Sequence, residues 1–236
     1  MKLLILLFLA LSAWADIGTV MVVKGQAQLN RSDQMLDIKS GMKLLTADEI
    51  LTKAKSRVQV MLVDNTVITI GANTSFKFND IKFDGSPDSK ADMKASRGFF
   101  RCVTGEIGKI APERFKVKTA SATIGIRGTD FSADIMPKRE LIRCYSGIIS
   151  VQYASYLKEI KAGKMIELRE NQIEIRDMKA QREKNRDQEV YQVVEKELDA
   201  PDMPAKDLSD MTTQQEQSKP SGGNPAVGGP FAAPIN

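Results

Sequence analysis

Between residues 17 and about 175, apolar and polar residues alternate in short runs, and glycine or Asx residues break each run. A period of two puts successive side chains on opposite faces of an extended chain, so the pattern predicts half-buried strands. Val58, Val60 and Leu62 share one face, with Arg57 and Gln59 opposite. Asp64-Asn65 then predicts a turn, and Ile68 and Ile70 return. Residues 19–23 and 26–30, around Lys24-Gly25, read as a hairpin. Residues 115–119, 130–135, 141–145, 148–153, 164–168 and 172–176 repeat the pattern. Short strands with turn signals between them predict an all-β fold, an antiparallel sandwich or jelly-roll-like roll. No long amphipathic helix separates them, which argues against a parallel α/β architecture. The polar stretch 83–95, with Gly85 and Pro87, is expected to be one long loop.

The two ends do not share this pattern. Residues 1–15 hold Lys2, an apolar run of about ten residues and Ala13-Trp14-Ala15. Such a run is too short to span a bilayer and fits a secretory signal cleaved after Ala15. The expected product starts at Asp16, is periplasmic or secreted, and does not span a membrane. The β domain is expected over 16–176. Residues 177–199 are rich in helix formers, with Val190, Val194 and Leu198 at four-residue spacing, and predict a charged helix. Residues 200–236 are rich in proline and glycine and predict a disordered tail.

Composition removes several mechanisms. The chain of 236 residues has no histidine and two cysteines. A Ser-His-Asp triad, a His-ligated zinc site and a four-cysteine metal centre are therefore excluded. Ser40/Lys43 and Ser155/Lys158 fit S-x-x-K, but the companion motifs of serine acyltransferases are missing. Gly105–Lys109 lacks the Walker spacing. Asp80, Asp84, Asp88 and Asp92 recur every four residues without EF-hand spacing, so a solvated loop is the better reading than a calcium site. No catalytic residue, metal site or cofactor is predicted. Cys102 and Cys144 each fall in a predicted strand and, outside the cytoplasm, are a candidate disulfide; two separately buried thiols are the alternative.

The stretch Thr119-Ala-Ser-Ala-Thr-Ile-Gly-Ile-Arg-Gly-Thr-Asp-Phe131 resembles the signature of the FecR domain. The glycine-punctuated segments 18–25, 41–45, 50–52, 60–71 and 97–105 resemble that family's successive strands upstream, and 145–151 and 161–163 its closing strands. Ala120 stands where many members have proline. The resemblance implies an all-β extracytoplasmic domain. In the best-known members this domain relays a signal from an iron-siderophore receptor through a transmembrane helix to a sigma factor. This sequence shows no cytoplasmic segment or spanning helix of that kind, so a stand-alone secreted form is expected. Thr119, Gly125, Arg127, Gly128, Thr129 and Phe131 carry the signature. The glycines suit a bulge or corner, and Arg127 is placed to bond turn carbonyls, so a fold-defining role outweighs a ligand role.

Function is then expected to lie in binding. The first reading is a non-enzymatic sensing or binding module in envelope signalling, with an envelope or membrane protein as partner. The alternative is a structural envelope protein on anionic glycan or lipid headgroups, using Lys109, Arg114, Lys116 and Lys118 as the anionic-partner surface. Lys53, Lys55 and Arg57, and Lys138, Arg139 and Arg143, form further basic clusters, with a plain solvated face as the simplest reading. Nucleic acid is not expected, because stacking aromatics are sparse.

Overall fold

The computed structural model describes residues 16–170 and 172–178. The expected signal, the tail and all of the charged helix beyond Met178 lie outside the described residues. Asp177 itself ends a strand, and the Met178 amide bonds the Gly163 carbonyl, so these two residues belong to the β domain.

Among the described residues, fifteen strands form a single sheet. The first eight are short: β1 Gly18–Lys24, β2 Ala27–Arg31, β3 Gln34–Asp37, β4 Lys43–Leu44, β5 Glu49–Thr52, β6 Arg57–Leu62, β7 Val67–Ile70 and β8 Ser75–Lys82. Then come the long β9, Lys90–Val103, a one-turn helix α1, Ile107–Ile110, and a 3-10 turn, Pro112–Arg114. β10, Phe115–Lys118, leads into two long strands, β11 Ala122–Met136 and β12 Arg139–Tyr153. β13 Tyr156–Lys161, β14 Lys164–Arg169 and β15 Gln172–Asp177 close the domain.

The long strands organise everything else, because each changes partners midway. β9 pairs β8 and β10 along its first half, then β7 and β11 beyond Gly98. β12 pairs β14 before its bend and β13 after it. The sheet therefore folds over on itself and encloses one core. Phe76 of β8 meets Phe100 of β9 at 5.2 Å between ring centroids, and Phe100 meets Phe131 of β11 edge-on at 5.9 Å. These rings join the two halves across the core.

Four expectations change. The sheet is mixed rather than purely antiparallel, because β10 runs parallel to β9. The 19–30 hairpin is absent: β1 pairs β4 and β6, whereas β2 pairs β3 and β5. Gly25, at φ +75°, is instead a corner between the halves, and a Cβ there would lie 2.6 Å from Ser56 Oγ. The long loop shrinks to residues 83–89, since Ala91, Met93 and Ala95 are fully buried inward positions of β9, separated by Asp92 and Lys94. Segments 141–145 and 148–153 are one strand, bent but not ended at Ser146-Gly147. Glycine here re-aims the strand instead of terminating it.

Candidate functional site

The signature sits at the bend. The β11–β12 register shifts between Arg127 and Asp130, which leaves Gly128-Thr129 as a bulge. Gly128 has φ +57° and open space around it; Gly147, across in β12, has φ +73°. A Cβ on Gly147 would lie 2.0 Å from the Gly128 carbonyl oxygen, so the two corners touch backbone to backbone. Gly125 is different: a Cβ there would meet Ser150 Oγ at 2.6 Å. Thr129 is buried, and Thr104 brackets it. The Thr129 amide donates to Thr104 Oγ1 at 2.9 Å, while the Thr104 amide and hydroxyl donate to the Thr129 carbonyl. Arg127 points away from this work. It is exposed and its side chain makes no hydrogen bond among the described residues. The expected bonds from Arg127 to turn carbonyls are replaced by those from Thr104.

The other end of the signature builds a cavity. The Thr119 hydroxyl donates to Glu140 Oε2 at 2.5 Å, and the Ser121 amide donates to Oε1 at 2.8 Å. Glu140 is buried because it holds an inward position of β12 with Ile142 and Cys144. It was not singled out from the sequence, although alternation with Ile142 and Cys144 was the signal that could have placed it inward. A cavity of about 330 Å³ opens beside it, floored by Ile135 and Leu168 and rimmed by Arg97, Lys138, Arg139 and Arg169.

Behind that rim, Glu167 gathers three guanidiniums. Arg139 and Arg169 each reach Oε1 at 2.6 Å, and Arg176 bonds Oε2. Burial pushes the Glu167 carboxyl up, but hydrogen bonds and charge from Arg139 and Arg169 outweigh it and hold it below its ordinary 4.5. Arg143, expected on a solvated face, is 1% exposed, and its Nε and Nη1 have no hydrogen-bond partner among the described residues. It lies opposite Ser132 of β11 and Met165 of β14, on the face turned away from the core.

The expected disulfide is not formed. Cys102 and Cys144 are free and buried. Phe131 explains why: it pairs with Cys102 on one side and with Cys144 on the other. Two strand spacings put the Cα atoms about 10 Å apart, beyond disulfide reach. Burial pushes both thiols up, Cys144 to about 11, so neither is a poised nucleophile.

Of the expected anionic-partner surface, Arg114, Lys116 and Lys118 line one open hollow together with Asp80 and Asp92, and Lys109 stands apart. Lys109 lies on α1 and bonds Glu106 at 2.8 Å. Arg114 meets Asp88 at 2.8 Å and Lys118 meets Asp92 at 3.2 Å. Lys116 alone of the four makes no ion pair among the described residues. The aspartates weighed as a calcium loop are the partners of these cations. Asp80 pairs Lys90 and Asp84 pairs Lys82. No cluster of metal-ligating side chains occurs among the described residues.

The architecture defines a class: a β domain whose three long strands bend at glycine corners, with the most informative sequence motif at one of them. Residues 48–150 match the family model described as FecR protein. The matched span runs from Asp48 through the bend in β12. Two crystal structures of a candidate anti-sigma factor from Parabacteroides distasonis ATCC 8503, at 2.50 and 1.65 Å, are similar to the chain at 17% identity and a TM-score of 0.48. Each comparison covers 58% of this chain and 62% of that one. A cell surface anchoring domain is similar over 26% of this chain and 82% of its own, at 22% identity and a TM-score of 0.25. No curated protein matches the chain.

Proposed function

We propose that this protein is a non-enzymatic regulatory module of the cell envelope that acts outside the cytoplasm by binding a protein partner. The observation that carries the reading is the FecR match over residues 48–150. Two features of the site agree with it. The buried thiols have raised pKa values, and Lys118 of β10 and the nearby Arg114 are tied to neighbouring aspartates. Neither arrangement suits covalent catalysis or a continuous polyanion-binding face.

The test is crosslinking in intact cells, with a photoreactive residue at Lys116 on the exposed face of β10. Retention of one membrane receptor or signalling protein, lost when the label is moved to a buried position, is the expected result. Co-sedimentation with purified cell wall, and no protein crosslink, would replace this reading with the structural one. Edman sequencing of the exported product should begin at Asp16.

A further inference from the structure

We propose that the cavity beside Glu140 is a binding site for a small carboxylate with a compact apolar body. The site stands independently of the signalling role above. Its volume of about 330 Å³ lies at the lower end of the range for ligand pockets. Its walls combine two chemistries. Ile135 and Leu168, both buried, form an apolar floor, and Tyr153 is part of the lining. Arg97, Lys138, Arg139 and Arg169 stand at the mouth.

The balance of charge at that mouth decides what binds. Glu140 faces the cavity, but its two oxygens already accept from the Thr119 hydroxyl and the Ser121 amide. Arg139, Arg169 and Arg176 converge on Glu167, and Glu174 offsets one further charge through Arg176. The positive charge left over is offset by Glu140 itself, so the excess at the mouth is that of Arg97. Lys138 is opposed only by Glu170 at 3.9 Å, with both side chains largely in solvent. Arg97 is exposed and has no hydrogen bond or ion pair among the described residues. The mouth is therefore cationic over an apolar floor. A guanidinium fork matches a carboxylate bidentately, and an apolar body gains by covering Ile135 and Leu168. A dianionic or polyanionic ligand fits less well, because Glu140 and Glu170 would face it.

Two sources supply such a ligand: the free C-terminus of a peptide ending in an apolar residue, and a short free acid. Titrating the purified full-length protein by calorimetry with N-acetyl-Ala-Leu-Leu, its C-terminal amide and octanoate separates them. Saturable binding of either acid, with the peptide amide at least about tenfold weaker than the peptide acid where the peptide binds, is the expected result. Peptide alone identifies a chain end as ligand, octanoate alone a free acid, and both the shared chemistry. Arg97→Ala should weaken binding about tenfold, the loss of one charge-assisted hydrogen bond, without lowering Tm. Lys116→Ala, outside the cavity lining, should change nothing. Absence of saturable binding by every probe at about 10 mM overturns the site. So does equal binding of peptide acid and amide, or equal weakening by Lys116→Ala. None of these results touches the partner crosslink, so the two proposals fail separately.

Discussion

At Gly147 a hydrogen atom stands where a methyl group would lie 2.0 Å from the Gly128 carbonyl oxygen. The two glycines of this corner are constrained differently. Gly128 needs only its left-handed φ, at a cost to an L-residue of about 1–2 kcal/mol. Gly147 needs that φ and the missing Cβ together. Gly128→Ala should therefore lower Tm by a few degrees, about 2–4 °C per kcal/mol in a domain of this size. Gly147→Ala should lower it by clearly more. Equal losses, read by thermal melts under one buffer, would show that the backbone contact does not constrain the bend. The cysteines give a second prediction at this scale. Both thiols should resist maleimide in the native protein and both should react after unfolding, with the same count before and after reductant. A thiol count that rises on reduction would establish a bridge, which the placement of Phe131 forbids.

The β6–β7 hairpin shows how a turn becomes a joint between elements. Asp64 is fully buried, and its carboxylate accepts from the Thr66 amide and hydroxyl and from the Ile107 amide at 3.1 Å. Its carbonyl accepts from the Glu106 amide at 2.8 Å, and Gly105 packs directly on it. One side chain thus closes the hairpin and docks the start of α1. Asp64→Ala would leave the buried Ile107 amide unpaired and remove two further bonds, a loss of about 2–4 kcal/mol. Urea unfolding should show that loss at an unchanged m-value, whereas a loss under about 1 kcal/mol would mean water replaces the carboxylate. Asp64-Asn65 was legible as a turn, and the alternation put Val58 and Val60 on one face and Ile68 and Ile70 on one face, which are the residues the hairpin pairs. What it docks against was not legible, because Gly105 lies 41 positions further along the chain. Long strands were obscured for a related reason. Local patterning cannot tell a glycine that ends a strand from one that bends it, so β11 and β12 read as fragments. At the cavity, Thr119 was visible as part of a motif, yet its partner Glu140 lies 21 residues away and is defined only by the fold.

Across the whole domain, the face of β12, β14 and β15 turned from the core carries charge in two opposite conditions. Glu167 is 2% exposed and held by arginines, and its pKa lies below the ordinary 4.5. A carboxyl lowered on folding contributes stability in full above the unfolded value, and that contribution is lost as pH falls through the folded one. Stability should therefore decline below about pH 4.5, and Glu167→Gln should decline less steeply over that interval. Parallel pH profiles of the two proteins would exclude Glu167 as the titrating group. Arg143 is the contrary case, since a guanidinium at 1% exposure has no bond at Nε or Nη1 among the described residues. Burying a charge without partners costs several kcal/mol, and replacing it by an apolar side chain of similar volume is often neutral or stabilising. Arg143→Met keeps the length of the side chain beside Met165 and removes the charge. Its Tm should equal or exceed that of the unaltered protein, by up to a few kcal/mol of added stability. A fall of more than about 1 kcal/mol would instead mean that the guanidinium is satisfied in solution by an anion. In that event, raising the chloride or phosphate concentration should stabilise the unaltered protein and leave Arg143→Met indifferent.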